Sequence, residues 1–418
     1  MNAGIFLQKN ITQVNLGGTG GNQSNKYVKI DSSVISNNTG DGASCFCGQY
    51  NIDFDIRHND ISHNMGDGIG IISGGGFQKV IVIGNNLSFN GIGYYGESGE
   101  QIIRENNIFN NTYDGVRTGG NGSIYIRQNI IANNLNRGIS VNSSSHYIDS
   151  NVIYENLNRG IFISASGYSR ISNNQILKNQ YQAVQPLYVG SDIDIKNNSF
   201  FGNVSDTAVI TIPVLYSGSS SDFRLDSNNF GVNSSNYMIH NRRAYSSGAI
   251  SPTGNFFNGL SSTNIGDSIW DWSDNSSIGI VSPNQISPIP VSYAPMLPPK
   301  NVTFYSGTPS SPANYIVVDA DKPADFANYR LYTSSSSTCQ FLDFTSDTLF
   351  LSFPYSTDLK VTLRSNTANG CQDFYSGEES YYFSNFNSGV NSPAISSTPN
   401  YVPSNGLLVW YPLDTLGA

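Results

Sequence analysis

Residues Gly138–Ile163 read GISVNSSSHYIDSNVIYENLNRGIFI, and the segment that ends at Gly138 has the same grammar. In both units an Ile stands twelve residues before a Gly (Ile126, Ile148) and another stands seven before it (Ile131, Ile153). An Asn stands nine before the Gly (Asn129, Asn151) and a second stands four before it (Asn134, Asn156). After each Gly come an apolar, a polar and an apolar residue. Self-similarity at a steady period marks a repeat architecture, and it has to be read before any single residue.

Carried in both directions, the register gives nine units, with Gly-equivalent positions at Gly42, Gly68, Tyr94, Gly115, Gly138, Gly160, Ala183, Thr207 and Tyr237. The position four before is Asn throughout: Asn38, Asn64, Asn90, Asn111, Asn134, Asn156, Asn179, Asn203 and Asn233. The positions seven and twelve before are apolar, from Ile35 to Phe230 and from Ile30 to Leu225. Short I-x-I pieces are half-buried strands. The Asn residues between them accept left-handed corners and bond their own turns. Together these features predict a parallel β-solenoid in which each Asn stacks on an Asn and each Ile on an Ile, with turns about 4.8 Å apart. One turn cannot bury its own apolar face, so the repeat has to continue.

Over roughly residues 28–260 this pattern resembles the right-handed parallel β-helix repeats of pectate lyases, polysaccharide-degrading enzymes, phage tailspikes and many surface proteins. The resemblance implies an all-β, right-handed parallel β-helix of about nine to ten coils. It implies little about activity, because that architecture hosts lyases, hydrolases, adhesins and inert spacers alike.

Composition narrows the setting. Only 12% of the 418 residues are charged and the net charge is −9, with an Asn-, Ser-, Gly- and Tyr-rich remainder. Such a surface suits an extracellular, cell-surface or virion protein that meets glycans or neighbouring subunits, with homo-oligomerisation an open option. No basic patch points to nucleic acid, and no apolar run is long enough to span a membrane. Residues 1–27 read as a partial coil or cap, with Gly4-Ile5-Phe6-Leu7 matching the G-I-x-I end of a coil, so the chain is expected to start part-way through a longer protein or with a short capping strand. The β-helix is placed at 28–281, with Trp270 and Trp272 closing its open end, and a Pro-rich linker at 282–300.

Beyond the linker, seven short β runs in 301–400 predict a small antiparallel β-sandwich. The stretch NYRLYTSSSSTC followed by LKVTLRSNTANGCQDFYSGEES resembles a fibronectin type III or immunoglobulin-like module, although the usual tryptophan is absent. Residues 401–418 contain NGLLVWYPLD, which resembles the opening strand of laminin-G or concanavalin-like lectin domains. Cys339 and Cys371 flank strands of the sandwich and are expected to form a disulfide worth about 3–4 kcal/mol. Cys45 and Cys47 are expected to be buried free thiols, since no His or Cys lies at metal-ligand spacing. No metal or other cofactor is called for.

Two groups of residues could carry chemistry or binding. In the third unit, GIGYYGESGEQ departs from the pattern, with Tyr94 in the Gly place and Glu97 where an inward residue belongs; irregular segments of regular rods are where sites are found. The column before the Gly position holds Asp41, Asp67, Gly93, Asp114, Arg137, Arg159, Gln182 and Asp206. Asp114 and Arg137 on adjacent turns could bind a uronate, or could be a cross-strand ion pair worth about 0.2–1 kcal/mol. Arg127 and Asp149 repeat the arrangement in another column, which favours the ion-pair reading. The signatures of polygalacturonases and pectate lyases are absent, and the four His residues form no constellation with Ser or Cys. The favoured reading is therefore a non-catalytic structural or adhesive rod that displays binding modules and touches cell-surface or capsular glycans through Tyr94, Tyr95 and Tyr113. The alternative is a lyase or glycoside hydrolase acting on an acidic polysaccharide through Asp67, Glu97, Asp114 and Arg137.

Overall fold

The computed structural model describes residues 26–46, 52–72, 79–97, 99–165, 167–189, 191–215, 222–258, 260–261, 263–291 and 294–295. It also describes the strands Gly4–Leu7 and Val14–Gly17 and seven strands between Lys300 and Phe383. The chain divides into two compact units, Met1–Pro295 and Met296–Ala418.

The first unit is a parallel β-solenoid of the right-handed type. Each turn supplies three strands, as in Lys79–Ile83, Asn86–Ser88 and Tyr94–Glu97, and each strand pairs in parallel with its copies one turn away. The middle strands form a ten-stranded sheet in strict chain order. Longer strands such as Val116–Arg127 and Ile139–Asp149 carry the third strand of one turn into the first strand of the next.

Period-two alternation turns one residue in two inward, and the inward residues stack into apolar columns. Ile30, Ile56, Val82, Ile103, Ile126, Ile148, Ile171, Ile195 and Leu225 line the first sheet. Ile35, Ile61, Leu87, Ile108, Ile131, Ile153, Ile176, Phe200, Phe230 and Phe257 line the second, and all are fully buried or nearly so. Each such side chain contributes about 1.5–3 kcal/mol of burial that no isolated turn could realise.

Two corners per turn are held by amide ladders. Asn134 is typical: its Oδ1 accepts the Asn111 backbone N–H (3.1 Å) and the Asn111 Nδ2 (2.9 Å). Its own Nδ2 donates to the Ile108 carbonyl (3.4 Å) and to Asn156 Oδ1 (2.9 Å). The parallel ladder begins where Ser33 meets Asn59 and runs through Asn85, Asn106, Asn129, Asn151, Asn174, Asn198 and Asn228 to Asn255. The ladder residues are not themselves left-handed. The residue before each, except Val232 before Asn233, is: Ser32, His58, Glu105, Gln128 and Ser150 at one corner, and Asn37, His63, Phe89, Asn110 and Asn133 at the other, have φ between 50° and 61°. The corner bends one residue early, which leaves the Asn extended and its amide pointing into the rod, where it caps the strand ends above and below.

Three expectations of register are corrected. In the third turn the Gly place belongs to Gly93, whose Cβ would meet the Gly115 carbonyl oxygen at 2.6 Å. Tyr94 pairs with Ile69 and Val116 and is fully buried, and Glu97 faces outward. The corner after Asn90 is one residue short, and a one-residue slip exchanges the two faces of a strand. In the eighth and ninth units Val209 and Met238, not Thr207 and Tyr237, take the Gly place, because Val184 pairs with Ile210 and Ile210 with Ile239. At the N-terminus Gly4–Leu7 extends the first sheet, with Leu7 beside Ile30, and Val14–Gly17 extends the third.

The far end also differs from expectation. Ile265 and Ile269 enter the core, whereas Trp270 lies on the outside against Tyr237 and His240, and Trp272 is exposed. The Pro-rich segment from Ser282 is not a free linker as far as Pro295. It bridges Ile250, Thr253 and Phe256, then crosses the second sheet, where the Val291 N–H donates to Asn229 Oδ1 and Ser199 Oγ donates to the Pro295 carbonyl. Cys45 is disulfide-bonded, against the expected free thiol, and the other three cysteines lie outside the described residues.

In the second unit the strands Lys300–Gly307, Asn314–Asp321 and Thr348–Leu351 form one antiparallel sheet. Asn328–Thr333, Phe341–Phe344, Leu359–Asn366 and Ser380–Phe383 form another. Cys339, Cys371 and residues 401–418 lie outside the described residues. Among the described residues no helix is long and apolar enough to cross a membrane.

Two outcomes test this account. Asn134→Ala should destabilise the solenoid by about 1–3 kcal/mol in urea unfolding, because the Asn111 donors and the Ile108 carbonyl lose buried partners. His146, fully buried with Nδ1 3.2 Å from Ser169 Oγ, is pushed down to about 4 by burial. The unfolded chain therefore binds the proton first, and stability should fall as the pH drops from about 6.5 to about 4, by about 3 kcal/mol in total. Unfolding at pH 7 and at pH 4.5 should show that difference shrinking in His146→Gln.

Candidate functional site

The outer surface of the third sheet, with the corner that leads into it, gathers most of the outward charged and aromatic side chains singled out above. Alternation sends Ser44, Gly70, Tyr95, Arg117, Ser140, Phe162 and Gln185 outward in one column. Asp41, Asp67, Asp114, Arg137, Arg159 and Gln182 stand beside it, at the end of the corner. The face is therefore acidic at one end and cationic and aromatic further along.

At the acidic end, Asp41 Oδ1 accepts the Asp67 backbone N–H (2.8 Å), and Asp67 Oδ1 accepts that of Ile92 (3.1 Å). Burial, and secondly the neighbouring Asp41 charge, push the Asp67 carboxyl up to about 6, against the pull of the Ile92 N–H and of Arg117. Gly70 lies close against these acids, since a Cβ on it would come within 3.1 Å of Asp41 Oδ2. Tyr95 donates its hydroxyl to Glu97 in a short bond, and burial followed by that bond pushes the phenol up to about 12.

The centre is occupied by Asp114, which is fully buried and committed to the scaffold. Its Oδ2 pairs with Arg117 Nε at 2.8 Å, and its Oδ1 accepts Asn136 Nδ2 (2.7 Å) and the Arg137 backbone N–H (3.2 Å). The expected cross-turn ion pair with the Arg137 side chain is replaced by a pair within one turn. Three residues of strand bring Arg117 back over the corner that holds Asp114, while Arg137 turns away to lie over the Phe162 ring at 4.0 Å. Arg127 and Asp149 are likewise in register without pairing. Arg127 lies over Tyr125, and Asp149 accepts from Ser172 and Asn173.

At the cationic end Arg137 Nη1 donates to Ser140 Oγ (3.1 Å), and Arg159 Nη1 donates to Asn158 Oδ1 (2.9 Å). Arg159 sits 5.0 Å from the Tyr181 ring centroid and 5.6 Å from that of Phe162. Asn158 Nδ2 donates to Asn136 Oδ1 (2.9 Å), so an amide row edges the same face.

The expected residues thus divide. Asp67, Asp114, Arg137, Tyr95 and Glu97 share this face, with Tyr113 exposed at its rim. Tyr94 does not: it is in the core, with its hydroxyl 3.0 Å from Gln101 Oε1. Arg117, Arg159, Phe162 and Tyr181 were not singled out as a group. The signal for Arg117 and Phe162 was their place two after the Gly in GVR and GIF, which is an outward position. A separate cavity of about 360 Å³ at the far end is lined by Ile265, Asp271, Trp272 and Ser282, with the Asp271 carboxylate held by Ser273 and the Val281 N–H.

Residues 78–216 match a family described as Periplasmic copper-binding protein (NosD), a match to about a third of the chain. No curated protein matches the chain. The Azotobacter vinelandii mannuronan C-5 epimerase AlgE4 A-module is 13% identical, covers 68% of this chain and 91% of its own, and has a TM-score of 0.38. The Dettilon tailspike protein is 12% identical, covers 90% of this chain and 84% of its own, and has a TM-score of 0.26.

The Asp67 carboxyl should titrate near pH 6 in carbon-13 NMR. Asp41→Asn should lower that midpoint only in part, because burial is the larger cause. The folded state holds the proton more tightly than the unfolded chain, so this group alone makes the fold more stable as the pH falls from about 6 towards 4.

Proposed function

We propose that the solenoid is a non-catalytic rod of an extracellular, cell-surface or virion-surface protein, and that it touches glycans along the outer face of its third sheet. The observation that carries this reading is the commitment of Asp114. Three partners, Arg117 Nε, Asn136 Nδ2 and the Arg137 backbone N–H, hold a carboxylate with no exposed surface, so it is part of the frame and no substrate reaches it. Tyr95, Tyr113 and Tyr181 line the same edge and offer aromatic surface of the kind on which sugar rings stack. On this reading the partners are cell-surface or capsular glycans and neighbouring subunits of a surface assembly. The strands beyond Pro295 would belong to a displayed immunoglobulin-like module, and the segment from Leu407 would open a lectin-like domain.

A second reading rests on Asp67. A half-buried carboxyl raised to about 6 is suited to moving a proton near neutrality. It would make the face a polysaccharide lyase or hydrolase site, with Glu97 and Arg137 as companions. Copper, carried by the matched family's name, finds no group of three His, Cys, Asp or Glu side chains among the described residues, and no copper role is assigned to them.

The purified protein should release neither reducing ends nor unsaturated uronides from a panel of acidic and neutral polysaccharides, and should be retarded by some of them in affinity electrophoresis. Turnover abolished by Asp67→Asn, with the fold intact, would overturn the first reading in favour of the second.

A further inference from the structure

Arg137 and Arg159 stand on adjacent turns, about 4.8 Å apart along the rod. Among the described residues neither guanidinium has a carboxylate within 4.0 Å, although the chain carries 30 acidic residues against 21 basic ones. Their nearest polar partners are neutral, Ser140 Oγ and Asn158 Oδ1. Both Nε atoms are buried without a hydrogen-bond partner. Burial is the main cause disfavouring the charge on each; on Arg159 the Arg137 charge adds to it, and on Arg137 the favourable pull of Asp114 is opposed by Arg117. The nearby Asp114 carboxylate is already paired with Arg117, and half-buried like charges with no carboxylate in direct contact are costly to hold. The Arg137 guanidinium lies over the Phe162 ring and that of Arg159 beside the Tyr181 and Phe162 rings, and both residues keep part of their surface exposed.

We infer that Arg137 and Arg159 form a subsite for the carboxylates of an acidic polysaccharide lying along the rod. This rests on the glycan-contacting reading above and names the class of glycan. A planar guanidinium offers two parallel donors that match a carboxylate. The Asn136–Asn158 amide row and the Tyr181 ring lie where ring hydroxyls and an apolar sugar face would meet them. A nucleic acid fits less well. The Phe162 ring is already covered by Arg137, so no base can stack on it. The basic run is two residues long, too short for the extended positive groove that tracks a nucleic-acid backbone.

The test is affinity electrophoresis and calorimetry of the full chain with polygalacturonate, a neutral galactomannan and polyphosphate. Polygalacturonate should bind, with affinity falling as salt rises. The double variant Arg137→Gln/Arg159→Gln should weaken it about tenfold or more, while Arg104→Gln on the first sheet should leave it unchanged. In the unmodified protein, polygalacturonate should shift the Arg137 and Arg159 Nε–H resonances, a readout that does not depend on how the variant folds. Binding of galactomannan alone would overturn the inference and leave the glycan-contacting reading standing; binding of none of the three would overturn both. Polyphosphate bound as tightly as polygalacturonate, or unmoved Nε–H resonances, would also overturn the inference.

Discussion

The amide ladder is the constraint on which the rest depends. A solenoid has to turn its backbone sharply several times per coil, and every turn strands peptide groups that no strand can pair. A buried peptide group without a partner costs about 1–3 kcal/mol, and several per turn would overwhelm what the apolar columns contribute. An Asn amide answers the need because it has two acceptor sites and two donors at one short distance from the chain. Asn129, Asn151 and Asn174 each accept two hydrogen bonds from the Asn of the turn before and direct their own Nδ2 at three oxygens, two backbone carbonyls and the amide oxygen of the Asn in the turn after. Gln would overshoot by a methylene, and Asp would bring an unpaired charge.

That same economy explains what could be read in the sequence. The columns were legible because the ladder tolerates so little: Asn, Ile and Gly recur where stacking leaves no alternative. The register slip at Tyr94 was not legible from Asn90 and Gly93 alone, since a corner one residue shorter still satisfies its neighbours. Side-chain partners were less legible again. Asp114 and Arg137 are adjacent in the lattice of the rod, but Arg117 reaches the carboxylate from three residues further along its own turn, and the Phe162 ring competes for Arg137. Lattice position decides which side chains are near one another. Rotamer, burial and competition decide which of them bond.

The third sheet's outer face shows a division of labour among like residues. Asp41 and Asp114 spend their carboxylates on backbone N–H groups of the next turn, and Asp67 does the same with one oxygen while remaining partly exposed. Arg117 neutralises an acid, whereas Arg137 and Arg159 stack on rings. The polarity of the face therefore comes from which charges the scaffold consumes, and a count of charged residues would not reveal it.

The two ladders also bear on how such a rod could change over generations. The first and second apolar columns stay five residues apart in every turn from Ile30 and Ile35 to Leu225 and Phe230. The ladder separation nonetheless ranges from 21 to 30 residues, most of the difference lying between the third strand and the next first strand. Because a turn meets its neighbours through identical rungs, the gain or loss of one whole turn brings together two surfaces that already fit. Length is thereby uncoupled from sequence novelty. The rod can be lengthened or shortened by recombination between its own copies, while the connection at the third corner is free to acquire new loops without disturbing the stack.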